Sequence, residues 1–317
     1  MKTKKQSVFV SVMFVLFVVV PWTSALANLG VSEIVSQVSQ TTYTNYLDNM
    51  LFTHLGDNRG YGPEHDLART NIYSEFSSFG LSTTLHPFSY SGSTYYNVVG
   101  THLGTTRPDD IYIIGAHYDS LGNPGADDNA SGTAGVLEAA RVLSQYEFEA
   151  TLLFIGFDRE EQGLYGSRAY AQEHSSDNIL GMISLDMIAY NGGGSNKARI
   201  YGLDSSAGLK QSLAEAISLY GNGLSSEIFV GSAGSDHYSF ESEGFQAALL
   251  IEYDVWNNPY YHNANDSVDM ANYIDYAFAT NMVSSSVGFF ATSAVPIPEP
   301  ATLLLLTLGT VMLGRKP

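Results

Sequence analysis

The feature that most constrains the fold of this chain is a set of short, near-continuous apolar runs that alternate with segments of helical apolar spacing. Apolar runs of this kind are typical of strands that are covered on both faces of a sheet. The strand candidates are residues 111–114, 151–155, 180–185, 198–201 and 247–251. The helix candidates are residues 31–81, with a turn-rich interruption at 56–62, then 131–145, 206–219 and 267–290. Ser131 is expected to cap the start of the helix at 131–145. This alternation predicts an α/β fold with an open, mostly parallel central sheet and helices on both faces.

The first 27 residues have the layout of a secretory signal peptide. Three lysines precede an apolar run at residues 8–20, and Ala25-Leu26-Ala27 supplies small residues for cleavage. An uncleaved membrane anchor is the alternative. The short apolar run and the Ala-x-Ala site favour cleavage, which predicts a mature chain that starts near Asn28.

Residues 296–317 form a second unusual end. Pro298-Glu299-Pro300 is followed by an almost wholly apolar run at 301–313 and by the basic pair Arg315-Lys316. This arrangement resembles the PEP-CTERM sorting signal of Gram-negative bacteria, which implies processing by an exosortase-like enzyme. The alternative is a plain C-terminal membrane tail, since the apolar run is marginal for spanning a bilayer. Both interpretations predict an exported protein in the periplasm, at the cell surface or outside the cell.

Residues 28–295 are long enough for one large hydrophobic core, and we expect a single domain. Five of the 14 lysines and arginines lie in the two ends, which leaves nine in this body, and the chain has a formal net charge of −18. An acidic body argues against nucleic acid and anionic membranes as partners, and no obligate protein partner is evident. Cysteine is absent, so a metal site here must use oxygen and nitrogen ligands.

Five short segments bring histidines and carboxylates to the strand ends and loops of the body. They are 115–120 with His117 and Asp119, 125–132 with Asp127 and Asp128, 158–167 with Glu160 and Glu161, 184–188 with Asp186, and 260–267 with His262 and Asp266. Taken singly, most of them fit an ordinary role, such as a loop histidine, a helix cap or a solvated charged pair. Asp186 is harder to explain in this way, because a carboxylate in an apolar strand has to be paired or metal-bound. Four segments follow strand candidates, where ligands bind in open parallel sheets.

Together, the segments predict a site for two divalent metal ions. Imidazoles and carboxylates suit zinc, and hydrolytic sites with two metals need a ligand that both ions share. One histidine and one carboxylate for each ion, plus a shared carboxylate, account for His117, His262, Asp128, Glu161 and Asp186. The remaining Glu160 is placed to accept a proton from the water that the metals hold. We also expect Asp119 to accept a hydrogen bond from the His117 imidazole and so fix its tautomer.

In this order along the chain, the segments resemble peptidase family M28, a family of zinc aminopeptidases. The Asp158-x-Glu160-Glu161-x-Gly-Leu-x-Gly-Ser and Asp128-Asn-Ala-Ser-Gly segments are highly specific. The resemblance covers most of residues 28–295 and implies the fold of a zinc-dependent exopeptidase. It also implies that Asp128 bridges the two ions and that Glu160 is the general base.

The same resemblance implies further assignments. His117 and Asp186 would serve one ion, Glu161 and His262 would serve the other, and the Asp128–Asn129 peptide bond would be cis. Weaker candidates are Asp236 and His237, near the substrate pocket or in a supporting role, and Tyr261, as a donor to the developing oxyanion. Asn263 and Ser267 depart from the usual family residues, which leaves the substrate rim open. Histidines 54, 65, 86, 102 and 174 are interpreted as structural or surface residues.

We therefore expect an exported di-zinc aminopeptidase that removes N-terminal residues from peptides or small proteins through a metal-bridging water activated by Glu160. Cobalt or manganese also suits these ligands. A carboxypeptidase is disfavoured by the few basic residues, and a glutaminyl cyclase by two complete half-sites. A non-catalytic surface protein that keeps the fold is disfavoured by the intact ligands and base. The preferred N-terminal residue and the oligomeric state stay open.

Overall fold

The computed structural model describes residues 30–51, 58–231 and 234–297. The predicted signal peptide and nearly all of the PEP-CTERM-like segment lie outside the described residues, so both stay predictions. Within the described ranges, no helix is long and apolar enough to cross a membrane.

The described residues form one eight-stranded sheet with the strand order β1-β2-β4-β3-β5-β8-β6-β7. The strands are β1 (Ser82–Tyr90), β2 (Ser93–His102), β3 (Arg107–His117), β4 (Ala150–Phe157), β5 (Asn178–Leu185), β6 (Lys197–Tyr201), β7 (Ser225–Ile228) and β8 (Ala247–Glu252). The central strands β4, β3, β5 and β8 run parallel to one another. The β1–β2 hairpin pairs antiparallel with β4 on one side, and β6 pairs antiparallel with β8 on the other. The sheet is therefore parallel at its centre and mixed at its sides.

Helices cover both faces of this sheet. They are α1 (Gln40–Asn45), which continues as a π-helical turn at Tyr46–Leu51, α2 (Pro63–Ser78), α3 (Gly132–Leu143), α4 (Tyr165–Glu173), α5 (Ala207–Tyr220), α6 (His237–Ser242) and α7 (Tyr276–Ala294). Residues of α1, α2, α3, α5 and α7 belong to the larger apolar cluster, whereas α4 and α6 contribute to a second cluster. Ile114 of β3 lies in the first cluster and its neighbour Ile113 in the second. Both faces of β3 are buried, which explains why its sequence is a continuous apolar run.

The predicted α/β class with a mostly parallel sheet is confirmed. All five strand candidates lie inside observed strands, and the helix candidates at 131–145 and 206–219 correspond to α3 and α5. These elements are the ones whose apolar residues fill the two clusters, so burial produced the pattern that predicted them.

Three local features differ from the sequence-based expectations. The β1–β2 hairpin at 82–102 was not anticipated, because its strands are rich in polar residues and β1 is largely exposed. The helix expected from residue 267 begins at Tyr276, where the Asp275 carboxylate accepts a hydrogen bond from the Phe278 N–H at 2.9 Å. Ser131 does not cap α3 with its side chain; its hydroxyl donates to the Asp127 carbonyl at 2.7 Å.

Candidate metal centre

The parallel strands bring the predicted site residues to one edge of the sheet. His117 is the last residue of β3, Asp186 directly follows β5, and Glu160 and Glu161 lie just after β4. The other two side chains come from connections at the same edge: Asp128 from the turn between β3 and α3, and His262 from the loop between β8 and α7. The carboxyl ends of neighbouring parallel strands meet at one edge, which is where open α/β sheets bind ligands.

One half of the site forms around His117. Its Nε2 atom lies 3.5 Å from Oδ1 of Asp186 and 3.4 Å from Oδ1 of Asp128. Oε2 of Glu160 is 4.0 Å from the same nitrogen. The imidazole is almost fully buried. One nitrogen and several carboxylate oxygens of this half therefore lie close enough together to bind one metal ion.

The other half forms around His262. Its Nε2 atom lies 3.1 Å from Oδ2 of Asp128 and 3.4 Å from Oε2 of Glu161. Asp128 thus directs one carboxylate oxygen to each histidine, because Oδ1 faces His117 and Oδ2 faces His262. The Asp128–Asn129 peptide bond is cis, as the family resemblance implied. The geometry is that of a carboxylate placed between two neighbouring half-sites.

The donor set fits two zinc ions. His117, Glu160 and Asp186 form one group and Asp128, Glu161 and His262 a second, and within each group the donor atoms lie within 4.8 Å of one another. Oε1 of Glu161 is buried and has no hydrogen-bond partner among the described residues. An unpaired buried carboxylate oxygen is costly unless a ligand binds it. Nitrogen and carboxylate donors of this kind suit zinc.

The protonation of the two histidines reflects the carboxylates around them. Burial alone would lower the pKa of His117, but Glu160 and Asp186 outweigh it and the pKa lies well above its ordinary value. Hydrogen bonds to Asp128 and Glu161 raise the pKa of His262 to about 10. In the metal-free protein both imidazoles are therefore protonated at neutral pH, and their positive charge lies where metal cations would bind.

Glu160 has the protonation behaviour of a proton acceptor. Burial raises its pKa well above the ordinary glutamate value; His117 opposes this effect, and Asp186 and Asp236 add to it. Burial would also raise the pKa of Asp128, but its hydrogen bonds with the two histidines lower it below the ordinary value. One carboxylate is thus kept ionised for binding, and a neighbouring one has increased affinity for a proton.

Asp119 has more contacts than the sequence predicted. Its buried carboxylate lies 3.5 Å from Nδ1 of His117, and its backbone carbonyl lies 3.2 Å from the same atom. The carboxylate also accepts the backbone N–H groups of Glu160 at 3.2 Å and of Glu161 at 3.4 Å. Asp119 therefore orients a proposed ligand on β3 and the start of the loop after β4 at the same time.

The weaker candidates separate into two groups. Tyr261 lines the cavity at the site, and its ring stacks on His262 with centroids 4.0 Å apart. Asp236 and His237 are fully buried and are not among the described residues that line this cavity. Burial lowers the pKa of His237 to about 3, so it is neutral. Tyr261 is therefore placed for substrate contact, whereas the side-chain polar atoms of Asp236 and His237 are buried outside the cavity lining and have no hydrogen-bond partner among the described residues.

The cavity at the site has a volume of about 260 Å³. One side is formed by the histidines and carboxylates of the two half-sites. The cavity also has an apolar wall, which includes Met187, Leu249, Ile251, Val255, Trp256 and Tyr261. A polar floor beside an apolar wall can hold a reacting polar group while it encloses an apolar side chain.

Sequence reasoning missed Asn97, which closes the loop that carries Glu160. Asn97 is fully buried on β2; its Oδ1 accepts the Asp158 N–H at 3.1 Å and its Nδ2 donates to the Gly166 carbonyl at 2.9 Å. A Cβ on Gly166 would lie 2.3 Å from Oδ1 of Asn97, so glycine is needed there. An asparagine in a strand carries no local signal of this role, since its partners lie more than sixty residues away.

A further group of possible ligands, His86, Glu173 and His174, does not fit a metal. The two backbone bonds of Asn97 fix its amide so that Nδ2 donates to Nδ1 of His86 at 3.0 Å. Neutral His86 must then carry its proton on Nε2, which donates to Glu173 at 3.0 Å. That nitrogen has no free lone pair for a cation. The geometry supports the interpretation of His86 as structural.

Three other histidines also have ordinary partners. His65 bonds to Asp158, His102 to the Tyr146 carbonyl, and His174 to Asp177. Histidine 54 lies outside the described residues. The interpretation of the described ones as structural or surface residues agrees with these contacts.

A mostly parallel sheet whose strand ends carry two histidine–carboxylate groups around one aspartate is typical of metal-dependent hydrolases with an α/β fold. The comparisons with known proteins make this more specific. The model of peptidase family M28 matches residues 97–286, so the chain belongs to that family and to the class of metallopeptidases.

Known relatives agree with this assignment. A probable leucine aminopeptidase of Trichophyton verrucosum is 30% identical over 210 residues, which cover 61% of this chain and 56% of the relative. The chain thus spans about half the length of that curated relative. The LapA aminopeptidase structure of Legionella pneumophila has a TM-score of 0.72 at 24% identity, over 85% of this chain and 76% of that one. The structure of BSAP, a zinc aminopeptidase from Bacillus subtilis, has a TM-score of 0.58 at 27% identity, over 64% and 51%.

Proposed function

We propose that this protein is an exported aminopeptidase with two zinc ions that removes apolar N-terminal residues from peptides. The observation that carries the proposal is the placement of Asp128, which directs one oxygen to each histidine at the floor of a cavity with an apolar wall. The zinc and aminopeptidase names of relatives support the metal and the reaction.

The ligands divide between two zinc sites. His117 and Asp186 would hold one ion, Glu161 and His262 the other, and Asp128 both. When bound, two zinc ions supply polarisation of the scissile carbonyl and a lowered pKa for the attacking water. The ligands neutralise most of that charge, and the burial of His117 and Asp128 keeps bulk water from competing with the substrate.

Glu160 is proposed to transfer the proton. It lines the cavity beside both half-sites, and its backbone N–H is held by the Asp119 carboxylate. The carboxylate would take a proton from the attacking water and give it to the amine that leaves. The raised pKa of Glu160 favours the first transfer, because a carboxylate with a higher pKa accepts a proton more readily.

The charge of the cavity favours the amino end of a substrate. Among the described residues that line it, the charged groups are carboxylates and the two histidines, without any lysine or arginine. A substrate carboxylate would have no arginine or lysine to bind it, which argues against a carboxypeptidase. A positively charged N-terminal amine suits carboxylates, and the apolar wall suits a side chain such as leucine or methionine.

Location is part of the same proposal. Residues 1–27 are proposed to direct export, and the PEP-CTERM-like segment to direct sorting by an exosortase-like enzyme, with peptides or small proteins outside the cytoplasm as substrates. Mass spectrometry of the protein from its host should find an N-terminus at Asn28 and loss of the apolar tail. An intact tail would contradict the sorting step and leave a membrane tail as the explanation.

Replacing Glu160 tests the reaction. Glu160→Gln should lower kcat for leucine p-nitroanilide by about 10³-fold, because the proton acceptor is lost, while zinc content stays the same. The exposed Glu243→Gln variant is the matched control and should keep parental activity. Near-parental turnover by Glu160→Gln would disprove the proposed role.

A panel of substrates separates the proposed aminopeptidase from a carboxypeptidase, a glutaminyl cyclase and a non-catalytic protein. Free aminoacyl p-nitroanilides should be cleaved, and their N-acetylated forms should not. Cleavage of N-blocked dipeptides with a free carboxyl end would indicate a carboxypeptidase, and cyclisation of N-terminal glutamine a cyclase. Two bound zinc ions without turnover of any member would indicate a non-catalytic protein.

A further inference from the structure

Residues 58–62, called the brace below, lie between two loops of the site. The brace precedes α2 and is outside the residues that match the family model, 97–286. The first loop, residues 118–125, connects the proposed ligands His117 and Asp128. The second loop, residues 158–164, carries Glu160 and Glu161.

Arg59 joins the brace to the first loop. All three nitrogens of its guanidinium donate to backbone carbonyls: Nε to Tyr118 at 3.0 Å, Nη1 to Pro124 at 2.7 Å, and Nη2 to Gly125 at 2.6 Å. The side chain is 1% exposed. Tyr118 follows a proposed ligand and Gly125 precedes another, so one planar group fixes the distance between the two ends of the loop.

Gly60 lies in close contact with the same loop. A Cβ on this residue would lie 2.4 Å from the carbonyl oxygen of Ser120. No side chain fits at that distance, so the brace lies directly against the loop backbone. Its own carbonyl accepts a hydrogen bond from Nη1 of Arg159 at 2.6 Å.

Arg159 joins the brace to the second loop. It directly precedes Glu160, has a positive φ of 60°, and is 1% exposed. Its guanidinium lies over the rings of Tyr95 at 3.9 Å and Tyr61 at 4.8 Å. Stacking on two rings and a bond to the brace hold the backbone from which Glu160 projects.

We propose that Arg59 and Arg159 are positioning residues that act through the brace to set the distance between the two loops. Arg59 fixes the separation of His117 and Asp128, and Arg159 fixes Glu160 relative to both. The inference rests on the proposed function, because it assigns these residues to the same site. Two of the nine basic residues in an acidic body take part: Arg59 is buried against backbone carbonyls of the first loop, and Arg159, in the second loop, is buried and donates to the Gly60 carbonyl of the brace.

Arginine is required at both positions for a geometric reason. Its rigid planar fork donates in several fixed directions and stacks on aromatic rings, whereas the lysine ammonium is a single point on a flexible stem. Arg→Lys therefore keeps the charge and removes the geometry. This makes Arg59→Lys and Arg159→Lys sharper tests than alanine variants, which would also leave buried carbonyls without a donor.

The experiment measures kcat and KM of the zinc-loaded protein and the visible spectrum of the Co²⁺-loaded protein. Each lysine variant should lower kcat per loaded site by about ten- to hundredfold, the usual effect of residues that orient metal ligands. KM should stay within about threefold, because the apolar wall is untouched. The visible spectrum of the Co²⁺-loaded protein should shift, since it reports ligand geometry. Arg69→Lys is the matched control: it stacks on Tyr96 and pairs with Asp66, both outside the two loops.

Unchanged kcat and an unchanged Co²⁺ spectrum, with lower stability alone, would overturn the proposal. If the lysine variants do not fold, Gly60→Ala decides by the same readouts, with Gly208→Ala, where a Cβ has room, as its control. Failure of Arg59→Lys, Arg159→Lys and Gly60→Ala to fold would also overturn it, because these contacts would then support the whole fold. If the parent protein cleaves no aminoacyl substrate, the proposed function fails, and the Co²⁺ spectra still decide the role of the brace.

Discussion

The two halves of the site are built from different kinds of structure. His117 ends a central strand, and its side chain is 1% exposed; His262 lies in a loop, and its side chain is 43% exposed. The buried half takes its geometry from the parallel sheet. The exposed half depends on loop contacts for its position, so the same ligand chemistry is held with different rigidity on the two sides.

Asp266 shows how the loop-borne half is tied to the rest of the site. Its carboxylate accepts the backbone N–H groups of Asp127 at 2.7 Å and of Asp128 at 3.1 Å, and Tyr273 donates to it at 3.0 Å. The loop that presents His262 is thus bonded to the backbone of Asp128, the proposed shared ligand. Asp128 is the point at which the two halves depend on each other.

We therefore expect the largest effect at Asp128, because its replacement removes a proposed ligand from both halves of the site. Asp128→Asn replaces one carboxylate oxygen with an amide group and removes the charge that both histidines contact. We expect zinc content to fall for both sites and kcat to drop by about 10³-fold or more. The exposed Asp204→Asn variant is the control. Two retained zinc ions with full activity would show that Asp128 is not shared.

A second pair of variants separates the halves. In the metal-free protein, His117→Ala leaves buried carboxylates without their cation and should lower the free energy of unfolding by about 3 kcal/mol. His262→Ala removes a half-exposed side chain and should change it by less than about 1 kcal/mol. Denaturant unfolding of both variants measures the difference. Equal losses would mean that the two halves are equally rigid.

The smallest effect concerns pH. His262 has a raised pKa of about 10 against an ordinary 6.5, so in the metal-free protein its stabilising contribution is complete below pH 6.5 and is lost as pH rises toward 10. Zinc requires the neutral imidazole. Apparent zinc affinity should therefore rise with pH between 7 and 9, by up to about tenfold per unit for each proton released. Competition with a chelator measures this affinity. An affinity that does not change with pH would contradict the protonated state of His262 in the metal-free protein.

The centre of the fold and the main site residues could be predicted because each has a local signal. Strands β3, β4, β5 and β8 are buried on both faces, so their apolar runs are continuous in sequence. The proposed ligands follow strand ends or lie in short specific segments, and parallel pairing then brings them together. The structure places His117, Asp128, Glu160, Glu161, Asp186 and His262 around one cavity, as the sequence predicted.

The contacts that hold the site residues in place could not be predicted from the sequence in the same way. Asn97, Arg59 and Arg159 act on backbone groups far away in sequence, and a lone polar residue gives no indication of a distant carbonyl. Ser131 was expected to cap α3 because serine often does, but its hydroxyl bonds to the Asp127 carbonyl in a buried turn. Tertiary packing decided these positions, where local preference was a weak guide.

The central claim is that one aspartate is shared by two metal ions, and a zinc-loaded crystal structure with anomalous scattering tests it most directly. The account predicts two zinc peaks separated by about 3.5–4 Å, with one oxygen of Asp128 bound to each. A single peak, or two peaks of which only one contacts Asp128, would contradict it.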